Sequence, residues 1–451
     1  MIGKEIAVGS WSDRCDIRLQ VRTALVNFVH WLDSYGETSW DHQSYFAGAY
    51  GGWAKGLYYR HKLPGTLAVA PLIFSEAFLP AGRRLFHERI RFPIADAHYA
   101  MGFAFLHEVD GSPEHLERAG HFLEELKKSR CPDFQEYCWG YPFNWVTRNG
   151  VMKRDTPLIT STPYVYEAFL QVHRIEPRDE WLAILKSMVR HACRDIKDYP
   201  TSETASSCSY SPFDGGGVVN AAAYRGAMLT SAAQVLEQPE CEAIAKRNVN
   251  FVLEAQNPDG SWPYAKDGVR DFVDHFHTCF VMKALAKVHR FTGDPRVLAA
   301  LRRGVDYYLA NLFADDGLPR PFSVAPRLTV YKRELYDCAE CINLCLLLRD
   351  RFPELDAKLD TVVAGILRDW IKPDGSFRSR QLMFGWDNVP MHRWAQSQMF
   401  CSLAFYLNEV LPKGKQRAEI RARKPKAQMQ KRQVENFEKS KFSRVHAPPR
   451  N

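Results

Sequence analysis

The sequence predicts an all-α fold, an (α/α)6 toroid built from about six helical hairpins of ~58 residues, and three observations predict it. Asp-Gly turns recur at a fixed interval, with Gly260, Gly317 and Gly375 lying 57 and 58 residues apart. Prolines at 113, 177, 239, 295 and 353 open apolar stretches on a similar beat, with gaps of 64, 62, 56 and 58 residues. Between these markers, segments apolar around most of their circumference alternate with segments carrying a single apolar stripe. Buried inner helices therefore alternate with half-wet outer ones.

In chain order, residues 15–33 carry a helical pattern with no preceding partner and are expected to close the ring. They belong to an N-terminal helical segment, 1–94. Toroid repeats then occupy 95–411. Inner helices are expected to begin near residues 96, 158, 218, 275, 335 and 392. Outer helices follow the first five at 113–128, 178–196, 239–255, 295–311 and 354–370. The stretch 294–309 shows the outer signature: Asp294 is a candidate N-cap, Pro295 fits the first turn, and apolar residues at 297, 298, 301, 305, 308 and 309 form one stripe. Residues 278–288 show the inner one, apolar nearly all round.

Composition bounds the function. With 46% hydrophobic and 25% charged residues, the chain is an ordinary globular protein. It contains no run of 18 uncharged apolar residues, which argues against a membrane span. The net charge of +8 is localised: residues 412–451 hold 13 Lys and Arg against three Glu, leaving the body at −2. That tail reads as disordered, with an anionic partner as the alternative, and nothing indicates specific nucleic-acid binding. The N-terminus lacks a signal-peptide core, so a cytoplasmic location is expected, membrane-peripheral at most. Eleven scattered cysteines fit reduced, buried thiols. Cys338, Cys341 and Cys345 sit within an apolar helix and read the same way rather than as a metal site.

In a toroid the starts of the inner helices converge on one cavity, and here they carry polar and aromatic side chains. Asp274, His275 and His277 place two imidazoles and a carboxylate within four residues. Asp337 and Glu340 share a helical face at (i, i+3) spacing, which suits an acid and a base. The candidate catalytic set is Asp274, His277, Asp337 and Glu340, with Asp274 or Asp337 as general acid or base and His277 sharing proton transfer. Trp139, Tyr141, Trp145 and Trp394 are candidates for stacking on a sugar ring or a polyprenyl chain. Arg148 and Arg393 are candidates for holding a carboxylate or phosphate. His98, Asp214, Asn220, His275 and Gln396 complete the expected binding set, although an Asp at an inner-helix start, as Asp214 is, is more often a helix cap. No glycine loop for a nucleotide is present, and no cofactor is expected.

Two resemblances attach to these residues. Gln256-Asn-Pro-Asp-Gly-Ser-Trp262 resembles the repeat motif of terpenoid cyclases and protein prenyltransferases. Asp271 to Phe280 is similar to the zinc-site histidine segment of prenyltransferase β subunits, which implies a zinc at Asp214 and His277. Gly216 stands where that family has its cysteine, and the cyclases' Asp-x-Asp-Asp motif is not evident. A second resemblance covers nearly the whole body. The segments Trp53–Arg60, Phe92–Tyr99, Trp139–Phe143 and His275–Thr278 resemble a group of α/α-toroid proteins of bacterial exopolysaccharide clusters. It implies a carbohydrate-active or carbohydrate-binding protein of the glycosidase, lyase or sugar epimerase class, acting on an oligosaccharide, polysaccharide or lipid-linked sugar. A prenyltransferase-like enzyme and a non-catalytic synthase scaffold are the alternatives.

Overall fold

The computed structural model describes residues 11–148, 150–327 and 329–410; the basic tail lies outside them. The chain opens with α1 (Trp11–Tyr35), then an insert of α2 (Ser44–Ala47), α3 (Ala49–Arg60), α4 (Lys62–Phe78) and α5 (Arg83–Phe86). Helical hairpins follow: α6 (Pro93–Asp110) with α7 (Pro113–Lys128), α8 (Thr162–Ile175) with α9 (Asp179–Arg194), and α10 (Val219–Val235) with α11 (Glu242–Glu254). Next come α12 (His275–Thr292) with α13 (Pro295–Asn311), α14 (Leu335–Leu348) with α15 (Leu355–Asp369), and finally α16 (Ser397–Val410).

The apolar patterns decide which helix lies inside. In α10 every residue from Val219 to Ala232 is buried, whereas α9 buries one stripe including Trp181, Ile184, Leu185 and Met188. Each inner helix, α6, α8, α10, α12, α14 and α16, packs on the next, and α16 returns to α6. At that closure a Cβ on Gly102 would come within 2.5 Å of the Phe400 ring, so the two helices touch through bare backbone. Local signals set the hairpin ends. Pro113 and Pro295 start outer helices, the Asp294 side chain accepts the Arg296 N–H at 2.8 Å, and Gly111 and Gly293 end inner helices in the left-handed conformation.

The Asp-Gly turns bind each outer helix to the following one. A Cβ on Gly260 would lie 2.3 Å from the Arg303 carbonyl oxygen in α13, one on Gly317 would lie 3.0 Å from Thr361 in α15, and one on Gly375 would lie 2.6 Å from the Asn27 carbonyl oxygen in α1. The last of these docks α1 in the outer layer beside α15. Gln256 and Trp262 brace the first turn: Gln256 Nε2 donates to the Gly260 and Ala300 carbonyls, and Trp262 Nε1 donates to the Val252 carbonyl.

Periodicity did not forecast the short strands. β1 (Trp145–Thr147) pairs antiparallel with β2 (Gly150–Met152), β3 (Asp198–Pro200) with β4 (Ser206–Cys208), and β5 (Val273–Asp274) with β6 (Phe322–Val324); β7 (Tyr331–Glu334), β8 (Arg380–Leu382) and β9 (Trp386–Asp387) form one sheet. They lie in the connections leading to inner helices, where pairing satisfies backbone groups that packing removes from water. Strands β5–β6 and β7–β8 also link neighbouring repeats. Among the described residues no helix is long and apolar enough to cross a membrane.

Candidate active site

Two clefts between outer elements, one lined by Thr204, Asn250 and Arg303 and one by Glu136, Ser187 and Arg190, hold no buried unpaired acid or base. The inner-helix starts do. Asp274 is the N-cap of α12: Oδ1 accepts the His277 N–H at 2.8 Å while Oδ2 lies 2.6 Å from His277 Nδ1. One carboxylate thus caps the helix and fixes the imidazole. With Nδ1 donating to the carboxylate, Nε2 is left as the acceptor nitrogen. Asp274 is buried, but the His277 side chain keeps 21% of its surface accessible. Tyr264 and Phe272 present their rings nearly edge-on to the imidazole, confining it between aromatic walls.

Asp337, in the first turn of α14, is buried and neither carboxyl oxygen has a hydrogen-bond partner. Burial pushes its pKa well above the usual carboxylate range, and the neighbouring carboxylates Glu334, Asp274 and Glu340 push the same way. Asp337 is therefore an acid holding its proton, close enough to Asp274 for that carboxylate to add to the shift. Its predicted partner Glu340 is otherwise engaged: Lys283 Nζ approaches Glu340 Oε2 to 2.5 Å, an ion pair made by proximity rather than by hydrogen-bond alignment. That corrects the expectation of a free acid–base pair on one face of α14.

Around these groups lies an aromatic and cationic lining. Trp394 stacks on Tyr336 at 4.3 Å and 16°, and its Nε1 donates to Glu334 Oε2 at 2.9 Å. His42 packs on the Trp394 ring at 4.3 Å. A π turn over His392–Gln396 presents Arg393 and Trp394 just before α16. Arg393 stacks over Tyr141, but its fork is closed on Asp41, Nε to Oδ2 at 3.0 Å and Nη2 to Oδ1 at 2.7 Å. Burial raises the Asp41 pKa, yet Arg393 and His42 outweigh it and hold the carboxyl well below its ordinary value. Arg393 is consequently not free to grip an anion, contrary to the sequence expectation. Tyr141, Tyr264 and His42 are deep enough for burial to shift their pKa values, His42 down to about 3, yet each keeps accessible surface.

The remaining expected residues divide. Trp145 sits on β1 at the edge of the Tyr141 ring, half-buried, and Arg148 is exposed in the β1–β2 turn. His98 is buried with Nδ1 on the Ile94 carbonyl at 2.7 Å and its ring beside Tyr164. Asn220 is buried at the start of α10 with Oδ1 unpartnered. Four expectations are corrected. Trp139 is fully buried, its Nε1 donating to the Leu126 carbonyl, so it cannot stack on a ligand. His275 is locked between the Tyr308 hydroxyl and the Leu312 carbonyl. Gln396 spends its amide on the Phe377 backbone. Asp214 accepts from the backbone N–H groups of Tyr210, Ser211 and Gly216, which shapes a loop and occupies both oxygens. With Asp214 so engaged and the His277 Nδ1 turned to Asp274, the donors implied for zinc do not converge. Among the described residues no group of three His, Cys, Asp or Glu side chains could hold a metal ion.

Periodicity missed Asp41, His42 and a chain of buried charges that ties the insert to the repeats, in which Glu334 pairs with Arg380, Arg380 with Glu76, Glu76 with Arg83, and Arg83 with Asp387. A lone Glu76 in the otherwise apolar run of α4 was the available signal, since a buried carboxylate demands a cation.

No protein-family model matches the chain, and no curated protein matches it in sequence. Solved structures do match in shape. An unsaturated glucuronyl hydrolase specific for heparin superposes with a TM-score of 0.58 at 10% identity, covering 87% of this chain and 96% of that one. Cellobiose 2-epimerase from Bacillus thermoamylovorans B4167 gives 0.56 at 11% identity over 71% and 88% of the two chains. The GH76 alpha-mannanase of Bacteroides thetaiotaomicron gives 0.54 at 9% identity over 82% and 98%. At these identities the likeness establishes the fold, and the fold is the α/α toroid.

Proposed function

We propose that the protein is a carbohydrate-active enzyme that holds a sugar in the inner-end cavity and moves a proton on it, with His277 as base, oriented by Asp274, and Asp337 as acid. The observation that carries this reading is a shared carboxylate: Asp274 fixes the accessible His277 imidazole and also acts on the buried Asp337 carboxyl, which is kept in its acid form. Trp394, Tyr336, Tyr141 and Trp145 offer flat surfaces for a sugar ring. Glu334 and Glu340, the carboxylates beside Asp337, are held by Arg380 and Lys283, so α14 supplies no second free carboxylate of the kind a hydrolytic pair uses. Proton abstraction from a sugar carbon next to a carbonyl or carboxyl group, which takes up the electron pair as an enolate, followed by return of a proton or loss of a leaving group, fits this set better. It corresponds to epimerisation or elimination. The likeness in shape to sugar-processing toroids supports the substrate class. The exopolysaccharide-type segments support a cytoplasmic role in bacterial surface-polysaccharide production, with an oligosaccharide or lipid-linked sugar as substrate.

The test is incubation with a panel of oligosaccharides in deuterium oxide, followed by NMR. The wild type should place solvent deuterium on a ring carbon or release an unsaturated product. His277→Ala and Asp337→Asn should each slow this by about a thousandfold while keeping helical content. Binding without exchange or product in the wild type would sink the catalytic reading and leave a glycan-binding scaffold.

A further inference from the structure

Helix α4 reverses the usual arrangement of a surface helix. Residues 63–75 contain no charged side chain, and the outward face carries Leu63, Leu67, Ala70, Phe74 and Phe78, spaced by four, three, four and four residues. Leu63 is 84% exposed, Leu67 77%, Phe74 56% and Phe78 52%. Helical spacing puts all five on one stripe about 22 Å long, where water-facing helices are polar. Trp53 and Tyr50 of α3 extend the surface on one side, and Phe384, stacked on Phe78, extends it on the other. The inner side of α4 is anchored by the Glu76–Arg83 and Glu76–Arg380 ion pairs, so the stripe is held outward.

Charge identifies the occupant. From Ala49 to His87 the only acidic residue is Glu76, which is buried. Arg60, His61 and Lys62 are exposed at the α3–α4 turn, and Arg84 is exposed beyond the other end of α4. An apolar stripe with exposed Trp and Tyr, flanked by cations and carrying no exposed acid from Ala49 to His87, with Glu88 the first exposed acid beyond it, matches the interface of an anionic lipid leaflet. A second copy fits poorly, because face-to-face pairing would bring the same cations together. Since no described helix can cross a bilayer, α4 would lie along the surface. We infer that the α3–α4 hairpin is a monotopic docking element for an anionic phospholipid membrane. This stands independently of the sugar-processing reading. Because α3 packs against β1, with Gly52 beside Val146, docking would bring the cavity rim near the lipid.

The experiment is flotation of the full-length protein with vesicles of equal parts phosphatidylglycerol and phosphatidylcholine, against phosphatidylcholine alone, at low and high salt. Wild type should float with the anionic vesicles and retain part of that binding at high salt, where purely ionic attachment by the basic tail is screened. Leu67→Glu with Phe74→Glu should reduce binding about tenfold or more at both salts, with an unchanged melting temperature because both positions are exposed. Arg60→Glu with Lys62→Glu should lower the preference for phosphatidylglycerol. Wild type that does not float, or an apolar-face variant that floats equally well, would overturn the inference. A wild-type oligomer that the apolar-face variant converts to monomer without lipid would overturn it in favour of a second copy.

Discussion

A carboxyl group with neither oxygen hydrogen-bonded, walled in at the start of α14, is stable there only with its proton on. For Asp337 this fixes the sign of a pH effect. The folded chain keeps the proton above the ordinary carboxylate range while the unfolded chain loses it, so raising pH through that window removes stability until the folded group also ionises. Asp337→Asn, which cannot ionise, should therefore gain stability relative to wild type as pH rises. Urea midpoints should show a larger advantage at about pH 8 than at about pH 5. An advantage independent of pH would mean that Asp337 is charged in the fold. Its position at an inner-helix start was legible in the sequence, as was that of Asp274 with His277. The loss of Glu340 to Lys283 was not legible, because such pairing depends on which two inner helices are neighbours.

At the scale of the element, the recurring glycine is needed for two separable reasons. Gly260 has φ of +93° and also lies against the Arg303 carbonyl, whereas Gly293, at +64°, has open space where a Cβ would go. Gly293→Ala should cost only the left-handed backbone term, about 1 kcal/mol. Gly260→Ala adds a clash with backbone that cannot rotate away, and should cost about 3 kcal/mol in chemical denaturation. Equal costs would show that the turn does not bear on α13. The spacing of these turns made the repeat readable, because three successive units each set an equivalent glycine against the next outer helix. The insert was not readable in this way. Residues 36–92 repeat nothing, and their place over the rim depends on Glu76, Arg83, Arg393 and Asp41, whose partners lie about 300 residues away in sequence.

For the whole molecule, the ring holds only if its first and last elements meet, and His392 sits at that joint. Its Nδ1 lies 2.5 Å from the Tyr99 hydroxyl of α6, its Nε2 lies 3.0 Å from the Gly36 carbonyl just past α1, and its backbone N–H donates to the Ser39 hydroxyl. Burial lowers the His392 pKa to about 3, with Arg89 and Arg91 adding to that depression against backbone hydrogen bonds that oppose it. The imidazole thus closes the toroid in its neutral form. Below about pH 6.5 the unfolded chain takes up a proton that the folded chain refuses until about pH 3, so this residue costs stability as pH falls across that window. The slope is at most about 1.4 kcal/mol per pH unit. Other buried groups act over the same range with either sign: His98 is likewise lowered to about 3, while Asp96 is raised to about 7. The wild-type profile is therefore a sum, and only a difference isolates the joint. His392→Asn should be less stable than wild type near neutrality, where a buried hydrogen-bonding group has been lost. That deficit should shrink steadily as pH is lowered from about 6.5 to about 4, when measured by denaturant titration at each pH. A constant deficit would show that His392 is protonated in the closed ring, and that closure relies on a cation at this joint.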